Sequence, residues 1–444
     1  MSDLAEPATR TVDASARRIA GLALPALVVL AAEPLYVLVD TAVLGHLGAV
    51  PLAALAVGGP VMSMIVWIGT VTAYGTTGRA ARRYGHGDRA AAVAEGVQAS
   101  WLALVAGLLL AVVMQVVAGP LARTVAGGDS TEVIDGAALW LRIAALGAPG
   151  LLLAAAGNGW MRGVQDTRRP LWFVLGPNLL SAALCPLLVY PVGLGLAGSA
   201  VANAVAQTLS GGLFVAALVA ERVPLAPRPR VIVRQLVLSR DLLIRGAAFQ
   251  ASFLSATTVA ARFGVAVVGA HQIALQLWFF TALVLDALAI AAQALVGAAL
   301  GASDGAGARL LARRIGLVGG LCGIGFAVLI GAGAGVVPGW FSADAAVQDQ
   351  AMVAWPWFAA MQPLAGVVFA LDGVLIGAGD VRFLRNLTVV SALGVFLPAI
   401  WLSYALDAGL GGIWAGLTLF IVARLVGLLL RVRSDRWIVL GASV

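Results

Sequence analysis

About twelve times along its 444 residues, this chain runs for some twenty residues with almost no charge. An α-helix needs roughly that many apolar residues to cross the ~30 Å hydrocarbon layer of a bilayer. The runs fall near 18–43, 52–76, 91–118, 136–158, 170–190 and 198–220, then near 241–262, 268–296, 315–337, 351–375, 387–405 and 412–430. The first follows Arg17 and Arg18, as a signal peptide would, but it is too long for a signal h-region and reads as a retained helix. Composition agrees with the spans: 61% of residues are hydrophobic and 11% charged, against ~45–50% and ~25% in ordinary globular domains. A soluble enzyme or a soluble nucleic-acid binder is thereby excluded. The expected fold class is an all-α membrane protein with about twelve transmembrane helices.

The net charge of +7 rests entirely on arginine, since the chain has no lysine. The two tails and alternate loops hold 23 of the 28 arginines, including the groups Arg79, Arg82, Arg83, Arg89 and Arg309, Arg313, Arg314. The opposite loops hold only Arg123. Positive-inside asymmetry therefore predicts that both termini are cytoplasmic. The basic charge reads as topology, with contact to anionic membrane lipids as a weaker reading and no role in nucleic-acid binding, because the arginines are scattered over short loops. Trp160 and Trp172, and the cluster Trp340, Trp355 and Trp357, are expected in interfacial belts. Cys185 and Cys322 sit far apart in apolar runs and suggest neither a disulfide nor a metal site.

The two halves repeat. Gly85-His86-Gly87-Asp88 matches Gly301-Ala302-Ser303-Asp304; Gly163-Val164-Gln165-Asp166 matches Gly377-Ala378-Gly379-Asp380; Gly195-Leu196-Ala197-Gly198 matches Gly409-Leu410-Gly411-Gly412. Each repeat contains an even number of spans, so both insert with the same orientation, as parallel repeats do. Two six-helix lobes are expected: residues 18–220 and 241–430, joined by a Pro-rich cytoplasmic linker at 221–240 and flanked by cytoplasmic tails at 1–17 and 431–444. A seam between two such bundles is the usual build of a secondary transporter, with its site near the midplane. No loop is long enough to fold a nucleotide-binding domain, and no HExxH or phosphate-loop motif is present.

Ionisable groups within spans cost about 2.5–3.5 kcal/mol each on insertion scales, which makes them functional candidates. Glu33, Tyr36 and Asp40 share one face of the first span, which Pro25 and Pro34 interrupt. In general a buried carboxyl favours its neutral form, and a neighbouring cation favours the carboxylate. At Asp40, proton and cationic substrate would then compete, which is the logic of antiport. The alternative for Asp40 is a paired, solvated carboxylate near a helix end, and for Glu33 a structural kink at Glu-Pro. Asn178 and Asn203, on the fifth and sixth spans, either complete a polar pocket with Asp40 or act as interhelical glue. On the eighth span Gln272, Gln276, Asp286 and Gln293 form one polar face, with Asp372 of the tenth span as a further candidate. Asp372 also fits an inner gate or a helix-end pair. Arg262 and Arg424 are expected to pair with acids or to snorkel.

At these residues the sequence resembles the MATE family (multidrug and toxic compound extrusion), specifically its DinF-type branch. The resemblance runs from Pro25 to Arg424. It is carried by Leu38-Val39-Asp40-Thr41-Ala42-Val43-Leu44-Gly45-His46-Leu47-Gly48 and Arg162-Gly163-Val164-Gln165-Asp166-Thr167 in the first half. Ala270-His271-Gln272-Ile273, Leu285-Asp286-Ala287 and Leu371-Asp372-Gly373-Val374-Leu375-Ile376-Gly377 carry it in the second. The resemblance implies two lobes around a central cavity, alternating access, and export of organic cations or amphipathic drugs against protons or sodium. It also implies that Asp40, with Tyr36 and Asn178, forms a first-lobe site whose protonation bends the first helix. Two departures stand out: Ala182 occupies the place of a second aspartate found in some members, and Asn203 replaces a threonine.

The expectation is thus a proton-coupled multidrug antiporter of the inner membrane, a monomer without cofactor and not an enzyme. Asp40 and Glu33 are its candidate proton carriers. Tyr36, Asn178, Asn203, Gln272, Gln276, Asp286 and Asp372 are its candidate cavity residues. Sodium coupling and a flippase for lipid-linked saccharides are the nearest alternatives. The flippase reading rests on Arg142, Arg262 and Arg424 as partners for a pyrophosphate. An intramembrane enzyme using a pair of the acids is more remote.

Overall fold

The computed structural model describes residues 14–127 and 130–442. These form twelve long helices and no strand. The first six are α1 (Ala16–Leu47), α2 (Ala49–Gly85), α3 (Arg89–Ala126), α4 (Thr131–Gly163), α5 (Arg168–Val189) and α6 (Leu196–Ala220). The second six are α7 (Pro229–Arg262), α8 (Val265–Gly301), α9 (Gly305–Gly333), α10 (Ala345–Ala378), α11 (Val381–Ala405) and α12 (Gly409–Arg433). A single turn, Val337–Phe341, precedes α10.

Eleven of these helices are long and apolar enough to cross a membrane. The remaining one is α7, whose first half carries Arg230, Arg234, Arg240, Asp241 and Arg245. The span expected over 241–262 in fact begins at Pro229, where a proline at the first helical position forfeits no hydrogen bond. Arginine is a good helix former, so these residues mask the hydropathy signal without interrupting the helix.

The internal repeat is built into the turns. Asp88 caps α3 by accepting from the backbone N–H of Ala91 at 2.8 Å, and Asp304 caps α9 by accepting from that of Gly307 at 2.7 Å. The residue before each aspartate is left-handed, Gly87 at φ 92° and Ser303 at φ 61°. The second matched pair behaves alike: Gln165 and Gly379 have φ of 62° and 80°, and the N–H groups of Asp166 and Asp380 return to the carbonyls of Met161 and Leu375 at 2.9 Å. Helix irregularities sit ahead of prolines. A π-turn at Ala392–Phe396 precedes Pro398 in α11, and a 3-10 turn at Ala145–Gly147 precedes Pro149 in α4. Each proline lacks the N–H that would complete the regular ladder.

The chain folds as two six-helix lobes, α1–α6 and α7–α12. They meet where α2 packs on α8, at the C-terminal ends of both helices, beside Arg79, Arg82 and Arg83 of α2. Contact there is backbone to backbone: a Cβ on Gly85 would collide with the carbonyl of Ala298, and one on Gly301 with that of Arg82. Helix α1 straddles the lobes. Its early residues Ile19 and Leu22 belong to the second lobe's apolar core with Ala299 and Leu300, whereas Leu44 belongs to the first lobe's core with Leu55 and Cys185. Pro25 and Pro34 lie between these two anchors.

The tryptophans are only partly interfacial. Trp172 and Trp340 are strongly exposed, but Trp160 and Trp355 are buried. Trp160 packs onto Gly96, where no side chain blocks it, and Trp355 donates its indole N–H to the carbonyl of Ile330 at 2.7 Å. These two are core residues, contrary to the belt expected from sequence.

Candidate functional site

Asp40 lies one turn after Tyr36 on α1, and both side chains are buried within the first lobe. The thiol of Cys185, on α5, donates to Oδ1 of Asp40 at 3.2 Å. Ser199, on α6, lies beside the carboxyl, and its hydroxyl accepts from the indole N–H of Trp140 at 3.0 Å. The Tyr36 hydroxyl faces Ser181 of α5 and Asn203 of α6. Tyr36 Oη, Ser181 Oγ and Asn203 Oδ1 are all buried, and none closes a hydrogen bond among the described residues. Buried polar groups are normally paired, so this pocket retains capacity to bind polar atoms beside the carboxyl.

Of the residues singled out in sequence, Tyr36, Asp40 and Asn203 converge here. Glu33 is half-buried two turns nearer the start of α1 and lies beside Gln207 of α6. Asn178 takes a different part: its amide donates to the Val174 carbonyl of its own helix at 2.9 Å. Sequence reasoning missed Ser181, Cys185, Ser199 and Gln207. A signal for them existed in the spacing, since Ser181 and Cys185 are four apart and Ser199, Asn203 and Gln207 recur every fourth residue. Both sets define one helical face.

A second polar cluster occupies the seam between the lobes. Tyr74 of α2 donates its hydroxyl to Oδ2 of Asp286 on α8, one lobe to the other. The charges of Arg162, in the last turn of α4, and Arg245, on α7, bear on the same carboxylate. Sequence placed Arg162 in a loop; the structure buries it, because α4 continues to Gly163. Asp372 of α10 accepts from both Arg245 and Arg424 through one oxygen. The Arg424 guanidinium also lies 5.0 Å from the Phe249 ring centroid and 5.7 Å from that of Phe420. Arg262 stacks on Trp401 at 4.9 Å, a cation–π contact rather than an acid pair.

The polar residues of α8 do not act as one stripe. Gln272 and Gln276 are exposed on its first half, Asp286 is engaged by Tyr74, and Gln293 is buried with neither amide atom hydrogen-bonded among the described residues. Asp286 and Asp372 thus belong to an arginine-bearing inter-lobe network and not to the pocket around Asp40.

A family model described as MatE matches residues 25–187 and 242–402. The chain is similar to Protein DETOXIFICATION 44, chloroplastic, of Arabidopsis thaliana, 32% identical over 92% of this chain and 80% of that protein. It is equally similar, at 32% identity, to DNA damage-inducible protein F of Escherichia coli K12, over 91% of this chain and 89% of that one. Among solved structures, a crystal structure of a MATE in the bent conformation superimposes with a TM-score of 0.87 at 21% identity, over 94% of this chain and 95% of the other.

Proposed function

The chain belongs to the MATE family of multidrug efflux transporters, and on that premise we propose that it is a secondary active exporter that exchanges organic cations or amphipathic drugs for protons. Asp40 is the proton carrier in this reading. The observation that carries it is the placement of Asp40 on a helix anchored in both lobes, inside a pocket where Cys185 donates to the carboxyl and Ser199 lies beside it. A charged Asp40 engages this donor. Protonation removes the charge that made that bond strong, freeing the proline-interrupted middle of α1 to change shape and alter the contact between the lobes. Substrate and proton then occupy one site in turn, and the lobes rock about the seam in alternating access.

Protons are favoured over sodium because of the donor set. Sodium is held best by several hard oxygens with charge among them. Tyr36, Ser181 and Asn203 offer only neutral oxygens beside Asp40, its hydrogen-bonded partner is a thiol, and Ala182 supplies no second carboxylate. The flippase reading loses two of its arginines, since Arg262 is stacked on Trp401 and Arg424 is committed to Asp372. Glu33 is a secondary proton acceptor beside Gln207, and Gln272 and Gln276, exposed on the first half of α8, are candidate substrate contacts. The protein sits in the plasma (inner) membrane as a monomer, with the arginine-rich face and both tails cytoplasmic. In that orientation the lobes are closed at the cytoplasmic end. Dye efflux from proteoliposomes under an imposed proton or sodium gradient tests the proposal: a proton gradient drives efflux without sodium, and efflux driven by sodium alone contradicts it.

A further inference from the structure

A cavity of about 410 Å³ opens at the arginine-rich end of the molecule, bounded by α2, α3, α7 and α11, with Ala442 of the C-terminal segment at its rim. Arg79, Arg82 and Arg83 line it from the first lobe, Arg234 and Arg382 from the second, against two acids, Glu95 and Asp241. Both acids are already engaged. Glu95 holds Arg79 at 3.0 Å and Arg83 at 3.8 Å, and Asp241 holds Arg385 at 2.8 Å and Arg240 at 3.1 Å. Arg82, only 1% exposed, bonds to main-chain carbonyls alone: Ala378 at 2.6 Å, Val439 at 2.7 Å and Gly441 at 3.2 Å. Its Nε and the Nη1 of Arg79 are buried without hydrogen-bond partners among the described residues. Arg234 and Arg382 have no acidic partner among the described residues. Three guanidiniums without counter-ions therefore converge on one cavity from two lobes.

Topology explains why arginines collect at this end. It does not explain why those lacking an acid share a cavity. Arg82 is buried without an acid, and Arg79 leaves a buried donor open beside it, while Arg234 and Arg382 add charge at the exposed mouth. A buried charge is costly unless an opposite charge joins it, and guanidinium donors match phosphate oxygens in geometry. We propose that this cavity binds a phosphate group, either free inorganic phosphate or the headgroup of an anionic phospholipid, which bridges the lobes at the end where they meet. The volume suits a small anion or a headgroup. The proposal is independent of the transported substrate and of the coupling ion.

The test uses the full-length protein. In detergent, thermal unfolding is followed while inorganic phosphate is titrated at constant ionic strength, with chloride as the screening control. In nanodiscs, phosphatidylcholine with and without phosphatidylglycerol is compared. A rise in the unfolding midpoint with phosphate identifies a free anion; a rise with phosphatidylglycerol alone identifies a headgroup. Arg234→Gln and Arg382→Gln, both on exposed side chains, each weaken the apparent affinity roughly tenfold, while Arg123→Gln, remote from the cavity, leaves it unchanged. The proposal is overturned by no shift in either arm, by an equal shift with chloride, or by shifts that persist in both cavity variants.

Discussion

The thiol of Cys185 reaches Oδ1 of Asp40 at 3.2 Å, so the carboxyl on α1 is tied to α5 of its own lobe while the start of α1 is embedded in the other. That tie is weak chemically, because a thiol is a poor donor, and it is buried, which gives it leverage. Removing it with Cys185→Ala should slow proton-driven dye efflux several-fold, in keeping with about 1 kcal/mol for a net hydrogen bond. Cys185→Ser restores a donor of similar size and should stay within about twofold of the parent. Equal rates for the two variants would show that the bond has no part in the cycle.

Tyr74 and Asp286 join the lobes directly. Tyr74→Phe removes the donor and little else, and a hydrogen bond to a charged group is worth about 1.5–3 kcal/mol. The population with the lobes closed at this end should fall about tenfold or more relative to the separated state. Spin labels at the exposed positions His86 and Ala302, at the ends of α2 and α8, report this as a longer distance in the distribution. An unchanged distribution would remove Tyr74 from the closure.

Asp372 is the shared acidic partner of two guanidiniums, one of them, Arg424, almost fully buried. Asp372→Ala leaves both uncompensated, which should cost about 3–5 kcal/mol of stability, read by thermal unfolding in detergent. Adding Arg424→Met to that variant should recover part of the loss, because the stranded charge is gone. Without such recovery, the destabilisation has a source other than unpaired charge.

The glycines at the seam set how closely α2 and α8 approach. Gly85→Ala should push the helix ends apart, lengthen the His86–Ala302 distance and impair efflux, because the added methyl meets the Ala298 carbonyl. Gly21→Ala is the control, since a Cβ there meets nothing within 4 Å.

The lobes were readable in the sequence because hydropathy repeats over long runs, and the repeat because paired turns need a left-handed residue followed by a capping aspartate, as at Asp88 and Asp304. Helix α7 was readable only from Asp241 onward, since Arg230, Arg234 and Arg240 outweigh its apolar residues in any window. Asp40 and Tyr36 stood out as rare polar groups in an apolar run. Their partners did not: Cys185 and Ser199 are 145 and 159 positions from Asp40, and small polar residues are common in helix interfaces. Asp372 illustrates the same limit, since its pairing with Arg245 and Arg424 exists only once α7, α10 and α12 are packed.

The most direct measurement is efflux by Asp40→Asn in proteoliposomes under an imposed inward proton gradient, beside the parent protein reconstituted at equal density. Asparagine keeps the size and hydrogen-bonding ability of the carboxyl but cannot carry a proton. Proton-driven efflux should fall to the rate of protein-free liposomes while substrate binding persists. Efflux at the parent rate would contradict Asp40 as the proton carrier.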